Sequence, residues 1–420
     1  MIERASLFTK KRDALIFGLF LLLILSISLL IEYKNYKELI RFDSALVDVT
    51  LLKQYTKSKN SRTYQVLKLK SSDGLIFYTT ANRSLQDLSD KKIKLEIWPK
   101  EITFYGYLTN FYAKNKILKI EPNNSIKESL NQYLSASHED KSIATIYKAL
   151  YSASPVDQEV QNIFSNLGIS HLIAISGFHL GVLSTLLYFI IKPIYRFFQN
   201  KFFPYRNSKV DIFILVAVAL FTYMLFLESP PSLVRSFGMF MVGFILYDRG
   251  MKILSMQTLI VTILLLLAFF PRLFFSLGFW LSSSGVFYIF LFLIHFKRLN
   301  IYLQMIGISI FVYLAMLPIS LYIFQNFSLY HPLSIIISLL FTPFYPLSIA
   351  LHIIGFGDLF DTFLLSLMSL GKEGIKTQLS VYLFALHFLI SFIAIYSRVA
   401  LWTLMLFCSS IFIYAIYQVT

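Results

Sequence analysis

The chain has 420 residues, of which 56% are hydrophobic and only 15% are charged. Soluble domains carry about 25% charged residues, so this composition excludes an ordinary soluble protein. The formal net charge of +15 points either to positive loops on the inner side of a membrane or to an anionic partner such as nucleic acid or phospholipid.

Residues 1–31 are predicted to form a basic leader and a first transmembrane helix. The basic stretch MIERASLFTKKRD precedes an apolar run with no small-residue cleavage site after it, which indicates an uncleaved anchor. Further apolar runs approach the ~20 residues that span a bilayer, as in Val210 to Leu227 and Leu401 to Tyr417. We therefore expect a polytopic α-helical membrane protein with about ten spans.

Residues 32–124 have the alternating pattern of a β domain. Five short strands are predicted from LVDVTLLKQYTKS, TYQVLKLK, LIFYTTA, KIKLEIWPK and ITFYGYLTN. The turn SSDG, from Ser71 to Gly74, should join two of them as a hairpin. Five strands in about 80 residues suggest a small closed barrel, and an OB-like fold is the commonest candidate.

This β domain is also rich in lysine and aromatic residues. Such a surface suits single-stranded nucleic acid, because cations track phosphates while ring faces stack bases. The alternative is a solvated lysine-rich surface over an ordinary aromatic core. The candidate DNA-binding residues are Lys68, Lys70, Tyr78, Lys92, Lys94 and Trp98.

Residues 125–170 change to helical spacing and are predicted to form amphipathic helices that lie at the membrane surface or cap the pore. Residues 171–420 form the predicted transmembrane domain. Lysine and arginine precede the first span and recur in alternate loops, whereas the loops ESPPS and QNFSLYH carry neither. The positive-inside rule then predicts a cytoplasmic N-terminus and an extracytoplasmic β domain. After Pro332, one kinked span and a re-entrant pair both remain possible.

The stretch HLIAISGFHLG places polar groups in an apolar run that we predict to be one helix from His171 to Ile191. His171, Ser176 and His179 would share one face of that helix. Gly177 and Gly181 would let a neighbouring backbone approach closely. Intramembrane polar groups indicate a bundle interior or a water-filled path, although hydrogen bonding between helices alone would also account for them.

Neither catalysis nor metal binding is predicted. Ser176 and His179 lie three residues apart on one predicted helix, and no Gly-x-Ser-x-Gly elbow surrounds the serine. The histidines form no His-x-His or His-Glu-x-x-His motif, and the chain has no P-loop sequence. We expect no catalytic residue, no metal, no cofactor and no enzymatic activity.

A second polar segment, LESPPSLVRS, contains Glu228 and Arg235 on either side of a double proline. An arginine inside a span costs about 2.5–3.5 kcal/mol at mid-membrane, so it should face a partner, an aqueous cavity or an anionic substrate. An ion pair between Glu228 and Arg235 is the structural alternative to a place on a transport path.

The segment HLIAISGFHLGVL is similar to the His-Leu-Leu-Ala-Ile-Ser-Gly-Leu-His-Val-Gly signature of the ComEC/Rec2 family of competence proteins. Its flanks also resemble that family, in KALYSASPVDQEVQNIFSNLGISHL, PSLVRS, SLGFWLSSSGV and AMLPISLYIFQNFSLYHPLSIIISLLFTP. The chain departs from the family pattern where Ser152 and Ala153 replace Gly-Asp, Trp280 replaces a glutamine and Ile336 stands near a usual asparagine.

The resemblance implies a channel in the bacterial inner membrane that carries single-stranded DNA to the cytoplasm during natural transformation. It also implies an extracytoplasmic OB-like domain, a periplasmic DNA receptor and a cytoplasmic DNA motor; a homo-oligomer is a further possibility. The sequence ends at Thr420 without the His-x-His-x-Asp-His motif of a metallo-β-lactamase-like domain, so we expect a short form. The alternatives are a transporter or flippase of another anionic solute, such as a lipid-linked saccharide, and an intramembrane hydrolase.

Overall fold

The structure is a computed structural model that describes residues 10–59, 62–72, 74–82, 85, 88, 91–122, 125–173, 175, 177–249 and 255–419. The chain divides into two compact units. The smaller comprises Phe8–Tyr133 and Ile263–Leu277, and the larger contains Leu134–Thr262 and Gly278–Thr420.

The smaller unit begins with a long apolar helix, α1, which spans Lys11–Leu39. Its mean hydropathy reaches 3.0 over 18 residues, which suits a membrane span. Most of its leucines and isoleucines are exposed, as expected for a helix that faces lipid rather than a protein core. The helix continues eight residues beyond the predicted boundary at Ile31, and this extension places Tyr36 and Leu39 against the β domain.

Six strands and one short helix follow: β1 Ala45–Lys59, β2 Arg62–Ser71, β3 Ile76–Ala81, β4 Lys91–Trp98, α2 Phe104–Leu108, β5 Phe111–Tyr112 and β6 Lys114–Pro122. The strand order is β5-β3-β2-β1-β4-β6. All neighbours are antiparallel except β3 and β5. The two edge strands, β5 and β6, are separated only by Ala113, whose carbonyl accepts a hydrogen bond from the Thr79 hydroxyl at 2.8 Å. The chain between β5 and β6 therefore lies against β3.

The predicted hairpin is confirmed, because the Gly74 N–H donates to the Ser71 carbonyl at 2.9 Å and Gly74 has a φ of +79°. The predicted fifth strand is wrong, since most of ITFYGYLTN forms α2. Thr103 caps this helix by accepting a hydrogen bond from the Gly106 N–H at 3.1 Å. The last long strand is instead β6, which was not predicted from the sequence.

The core of the β domain is built from inward residues of its strands, among them Val49, Leu67, Leu69, Phe77 and Leu95. Each of these side chains is at most 2% exposed. Because side chains alternate across a strand, their neighbours in sequence point outward. The core thus fixes which residues the barrel presents to its surroundings.

Fourteen further α-helices occur in the described residues: α3 Ile126–Ser137, α4 Lys141–Ser152, α5 Gln158–Asn166, α6 Ser170–Ile173, α7 Gly177–Phe202, α8 Ser208–Phe226, α9 Pro231–Asp248, α10 Met256–Phe269, α11 Leu277–His295, α12 Ile301–Phe324, α13 Ser334–Ile354, α14 Asp361–Leu370, α15 Val381–Ile393 and α16 Arg398–Val419. Among the same residues, three short 3-10 helices, Pro271–Phe275, His331–Leu333 and Gly357–Phe360, precede α11, α13 and α14. The amphipathic segments predicted before residue 170 form α3, α4 and α5. Two short strands, β7 Asn326–Phe327 and β8 Ile375–Lys376, pair with each other.

Within the described ranges, seven helical segments are long and apolar enough to cross a membrane: α1, α7, α8, α11, α12, His331–Ile354 and α16. The apolar helices α10 and α15 are shorter. The chain is thus a multi-pass membrane protein with a β domain near its N-terminus, while the count of about ten spans stays a prediction. The segment after Pro332 is one helix, α13, that contains Pro343 and Pro346.

The predicted continuous helix from His171 to Ile191 is wrong. Helix α6 ends at Ile173 and α7 begins at Gly177, with Ile175 outside both. The Ile175 carbonyl accepts a hydrogen bond from the Ser232 hydroxyl of α9 at 2.7 Å. A side chain of another helix therefore binds a backbone group that a continuous helix would have used internally.

The larger unit also contains an apolar cavity of about 450 Å³. Its lining is apolar throughout. The lining residues belong to α4, α5, α6, α13 and α14 and to the segments before α6 and α14; among them are Leu150, Phe164, Leu172, Phe344 and Leu364. Leu340 and Leu347 of α13 line this cavity while remaining about half exposed. The cavity is therefore open toward the apolar outer surface of the unit.

Candidate functional site

In the six-stranded sheet, the pairing of neighbouring strands places outward-facing lysines next to one another in rows. Lys68 of β2 lies opposite Lys53 of β1 and Tyr78 of β3. Paired residues on neighbouring strands point to the same side of a sheet, so these three side chains form one outward row. The Lys68 ammonium lies 5.6 Å from the centre of the Tyr78 ring.

Neighbouring rows continue across the other strands. Lys70 and Lys92 both lie opposite Thr50, and Lys94 lies opposite Lys119. Trp98 lies opposite Lys114 at the end of β4. We call this surface the lysine rows, formed by Lys53, Lys68, Tyr78, Lys70, Lys92, Glu121, Asp48, Lys94, Lys119, Glu96, Lys116, Trp98 and Lys114. All six candidate DNA-binding residues lie in it.

The lysine rows are strongly cationic, with eight lysines against three acidic side chains. Lys119 pairs with Glu121, and this contact holds the pKa of the exposed Glu121 carboxyl below its usual value. Aromatic rings also lie at the surface of the β domain, where Trp98 is 40% and Tyr112 is 53% exposed. The surface therefore combines the two groups that single-stranded nucleic acid needs, cations for phosphates and rings for bases.

In the larger unit, the two histidines of HLIAISGFHLG have different surroundings. His171 lies on α6, is exposed, and its Nε2 is 3.3 Å from the Ser338 hydroxyl of α13. His179 lies on α7 and is only 1% exposed. Its ring packs edge-on against Phe341 and Tyr345, with centroid distances of 5.1 and 4.8 Å. Ser176, the third predicted member, lies outside the described residues.

The two glycines of this stretch also differ. A Cβ atom on Gly177 would lie 2.7 Å from the Ser236 hydroxyl oxygen, so α7 and α9 approach closely at this point. A Cβ atom on Gly181 would meet nothing within 4 Å. The prediction of a close helix approach therefore holds at Gly177 and is wrong at Gly181.

Arg235 of α9 is 2% exposed, and its Nη1 donates to the Gly278 carbonyl at 2.9 Å. Its guanidinium lies 5.8 Å from the centre of the Phe279 ring. Arg235 forms no ion pair within the part of the chain that the structure describes, and its Nε has no hydrogen-bond partner there. The alternative of an ion pair between Glu228 and Arg235 is therefore not what the structure has; Glu228 is exposed, with a φ of +60°.

Sequence reasoning missed a buried polar cluster formed by His138, His352 and Asp361. His138 Nδ1 lies 2.9 Å from an Asp361 carboxylate oxygen, and its Nε2 lies 3.1 Å from His352 Nε2. More than 200 residues separate His138 from both partners, so no local motif could have revealed the contact. Across the described ranges, no group of three or more histidine, cysteine or acidic side chains has the arrangement of a metal site.

Comparison with known proteins finds relatives for part of the chain. Over 178 residues it is 29% identical to ComE operon protein 3 of Bacillus subtilis (strain 168), which covers 41% of this chain and 21% of that protein. Over 142 residues it is 28% identical to an uncharacterized protein of Aquifex aeolicus (strain VF5), covering 34% and 31%. The chain thus matches about a fifth and a third of these relatives' lengths.

No solved structure is significantly similar to this chain. A family model described as "Competence protein" matches residues 152–420. This range includes α6, α7 and Arg235, and also His352 and Asp361. This match covers more than half of the chain and contains the HLIAISGFHLG stretch. The chain therefore belongs to the competence protein family.

Proposed function

We propose that this chain is an inner-membrane channel that passes single-stranded DNA into the cytoplasm during natural transformation. The observation that carries the proposal is the lysine rows, a cationic and aromatic surface on the β domain of a competence family member. A polyanion cannot cross hydrocarbon unaided, so a receiving surface outside and a polar path inside are both required.

The β domain is proposed to be OB-like and extracytoplasmic, with the N-terminus in the cytoplasm. Its strand pairing supports an OB-like barrel, because β1 pairs with both β2 and β4 while β3 pairs in parallel with β5. The charge of the short loops supports the orientation. DNA would then meet the lysine rows before it reaches the membrane.

The path through the helical unit is proposed to include seven polar or small residues: His171, Ser176, Gly177, His179, Gly181, Glu228 and Arg235. Arg235 gives the strongest support, because a buried guanidinium without an acidic partner is costly unless an anion passes or binds nearby. Gly177 brings α9, which carries Arg235, close to α7. A periplasmic receptor would deliver DNA, a cytoplasmic motor would pull it, and the channel could assemble as a homo-oligomer.

The binding step can be tested with the full chain in lipid nanodiscs and a fluorescent single-stranded oligonucleotide at several salt concentrations. Affinity should fall steeply with salt, since each neutralised phosphate releases counterions. The double substitution Lys68→Glu and Lys94→Glu should weaken binding at every salt concentration.

The matched control is Lys201→Glu with Lys209→Glu, which changes the net charge equally at exposed positions near the end of α7 and the start of α8. This control should bind like the unmodified chain. Equal loss in both double variants would mean that overall charge, rather than the lysine rows, governs binding. Absence of binding at low salt would reject the DNA-receiving role.

A further inference from the structure

The cluster of His138, His352 and Asp361 connects three separate segments of the larger unit. His138 follows α3, His352 lies near the end of α13, and Asp361 begins α14. Both imidazoles are buried, with His138 only 6% and His352 only 5% exposed. Any charge on this pair must therefore be compensated by its immediate neighbours.

The hydrogen-bond partners determine where the ring protons lie. His352 Nδ1 is 2.7 Å from the Ser348 carbonyl oxygen, which can only accept, so this nitrogen carries a proton. His138 Nδ1 is 2.9 Å from the Asp361 carboxylate and donates to it in the same way. If both rings were neutral, each Nε2 would then be an unprotonated acceptor.

Those two Nε2 atoms lie 3.1 Å apart, which is a hydrogen-bond distance. Two lone pairs at this distance repel each other, whereas one proton between them makes an N–H···N bond. We propose that His138 and His352 together bind one extra proton, taken from water. The resulting N–H···N hydrogen bond holds the end of α3 against α13 and α14.

The surroundings suit a single positive charge. The Asp361 carboxylate neutralises it directly, and the Tyr147 ring stacks on His138 at a centroid distance of 4.5 Å and an interplanar angle of 7°. An aromatic face stabilises a cation. The other titratable groups facing the pair are Tyr151, which lies 3.3 Å from His352 Nδ1, and the exposed Asp358, which attracts a charge on His352.

This hydrogen bond between the two histidines should form only over a limited pH range. Loss of the shared proton leaves two facing lone pairs, and addition of a second proton leaves two facing N–H groups that repel. Histidines change charge mainly between about pH 5 and 8. The contact between these three segments should therefore be strongest at an intermediate pH and weaken on both sides of it.

The test is the thermal unfolding midpoint of the full chain in detergent across this pH range. The unmodified chain should show a maximum, whereas His138→Gln and His352→Gln should each remove it, because glutamine keeps polarity but does not titrate. The double substitution should be no worse than either single one, since both remove the same bond. His331→Gln, which alters another buried histidine beside Tyr313, should retain the maximum.

Additive losses in the double variant, or a pH maximum that persists in either single variant, would overturn the proposal. A second measurement avoids dependence on the variants' folding. In the unmodified chain labelled with ¹⁵N-histidine, NMR should detect a coupling across the hydrogen bond between the two Nε2 atoms near the optimum pH. No coupling at any pH, or one metal ion per chain by elemental analysis, would reject a shared proton.

Discussion

At the scale of single residues, Arg235 has the most unusual surroundings of the proposed path. Its guanidinium is buried, donates a hydrogen bond to the Gly278 carbonyl and lies 5.8 Å from the centre of the Phe279 ring, without a salt bridge in the described ranges. Replacing such a buried charge by an apolar side chain of similar volume is often neutral or stabilising. If Arg235 meets an anion during transport, as proposed, its replacement should affect transport more than stability.

Arg235→Met should accordingly leave the thermal unfolding midpoint unchanged or slightly higher. Import of labelled DNA into the cytoplasm should nevertheless fall at least about tenfold, which corresponds to about 1.4 kcal/mol. Arg398→Met, at an exposed position at the start of α16, is the matched control and should import normally. Normal import in the Arg235 variant would remove this residue from the path.

The two glycines of α7 give a second test at this scale. Gly177→Ala should destabilise the chain by about 1–3 kcal/mol, because the added methyl group would overlap the Ser236 hydroxyl. Gly181→Ala should stabilise it by about 0.5–1 kcal/mol, since the site has room and alanine is the better helix former. Chemical denaturation of both variants measures the difference, and equal effects would contradict the packing at Gly177.

Among the secondary-structure elements, strong local patterns predicted the structure well, and weak ones did not. Alternation over eight or more residues predicted β1 and β4, and long apolar runs predicted α1 and α16. In contrast, α2 has only five residues, and its aromatic sequence resembles a strand. The interruption between α6 and α7 depends on Ser232 in another helix, and a contact 57 residues away leaves no local pattern.

The stability of the short helix α2 depends on its N-cap more than the stability of a longer helix would. Thr103→Ala removes the acceptor for the Gly106 N–H and should cost about 0.5–2 kcal/mol. Hydrogen exchange at the Gly106 amide should speed up correspondingly. Thr103→Ser keeps the acceptor and should restore most of the protection; failure of serine to do so would assign the effect to the lost methyl group.

At the scale of the whole molecule, the site was only partly predictable. The outward position of the six candidate DNA-binding residues was predictable because alternation alone indicates which side chains of a strand point outward; their binding of DNA stays a prediction. The surroundings of Arg235 and the His138 cluster could not be found, because they depend on contacts between helices that are distant in sequence. The prediction that belongs to this scale concerns the charge that the full chain presents to DNA.

Each lysine removed from the lysine rows should reduce the slope of log affinity against log salt by about 0.7 for single-stranded DNA. The loss should be similar for different base sequences, because phosphate contacts carry no sequence information. Trp98→Ala should instead lower affinity without changing the slope, since stacking releases no counterions. A series of titrations on the full chain separates the two effects, and a reduced slope for Trp98→Ala would contradict the assignment.

The apolar cavity of about 450 Å³ in the larger unit has a mechanical consequence. Its lining offers water no hydrogen-bond partner, so water gains little by filling it. Hydrostatic pressure favours states in which such loosely packed volume is reduced. The helices around the cavity, α4, α5, α6, α13 and α14, should therefore be the most compressible part of this unit.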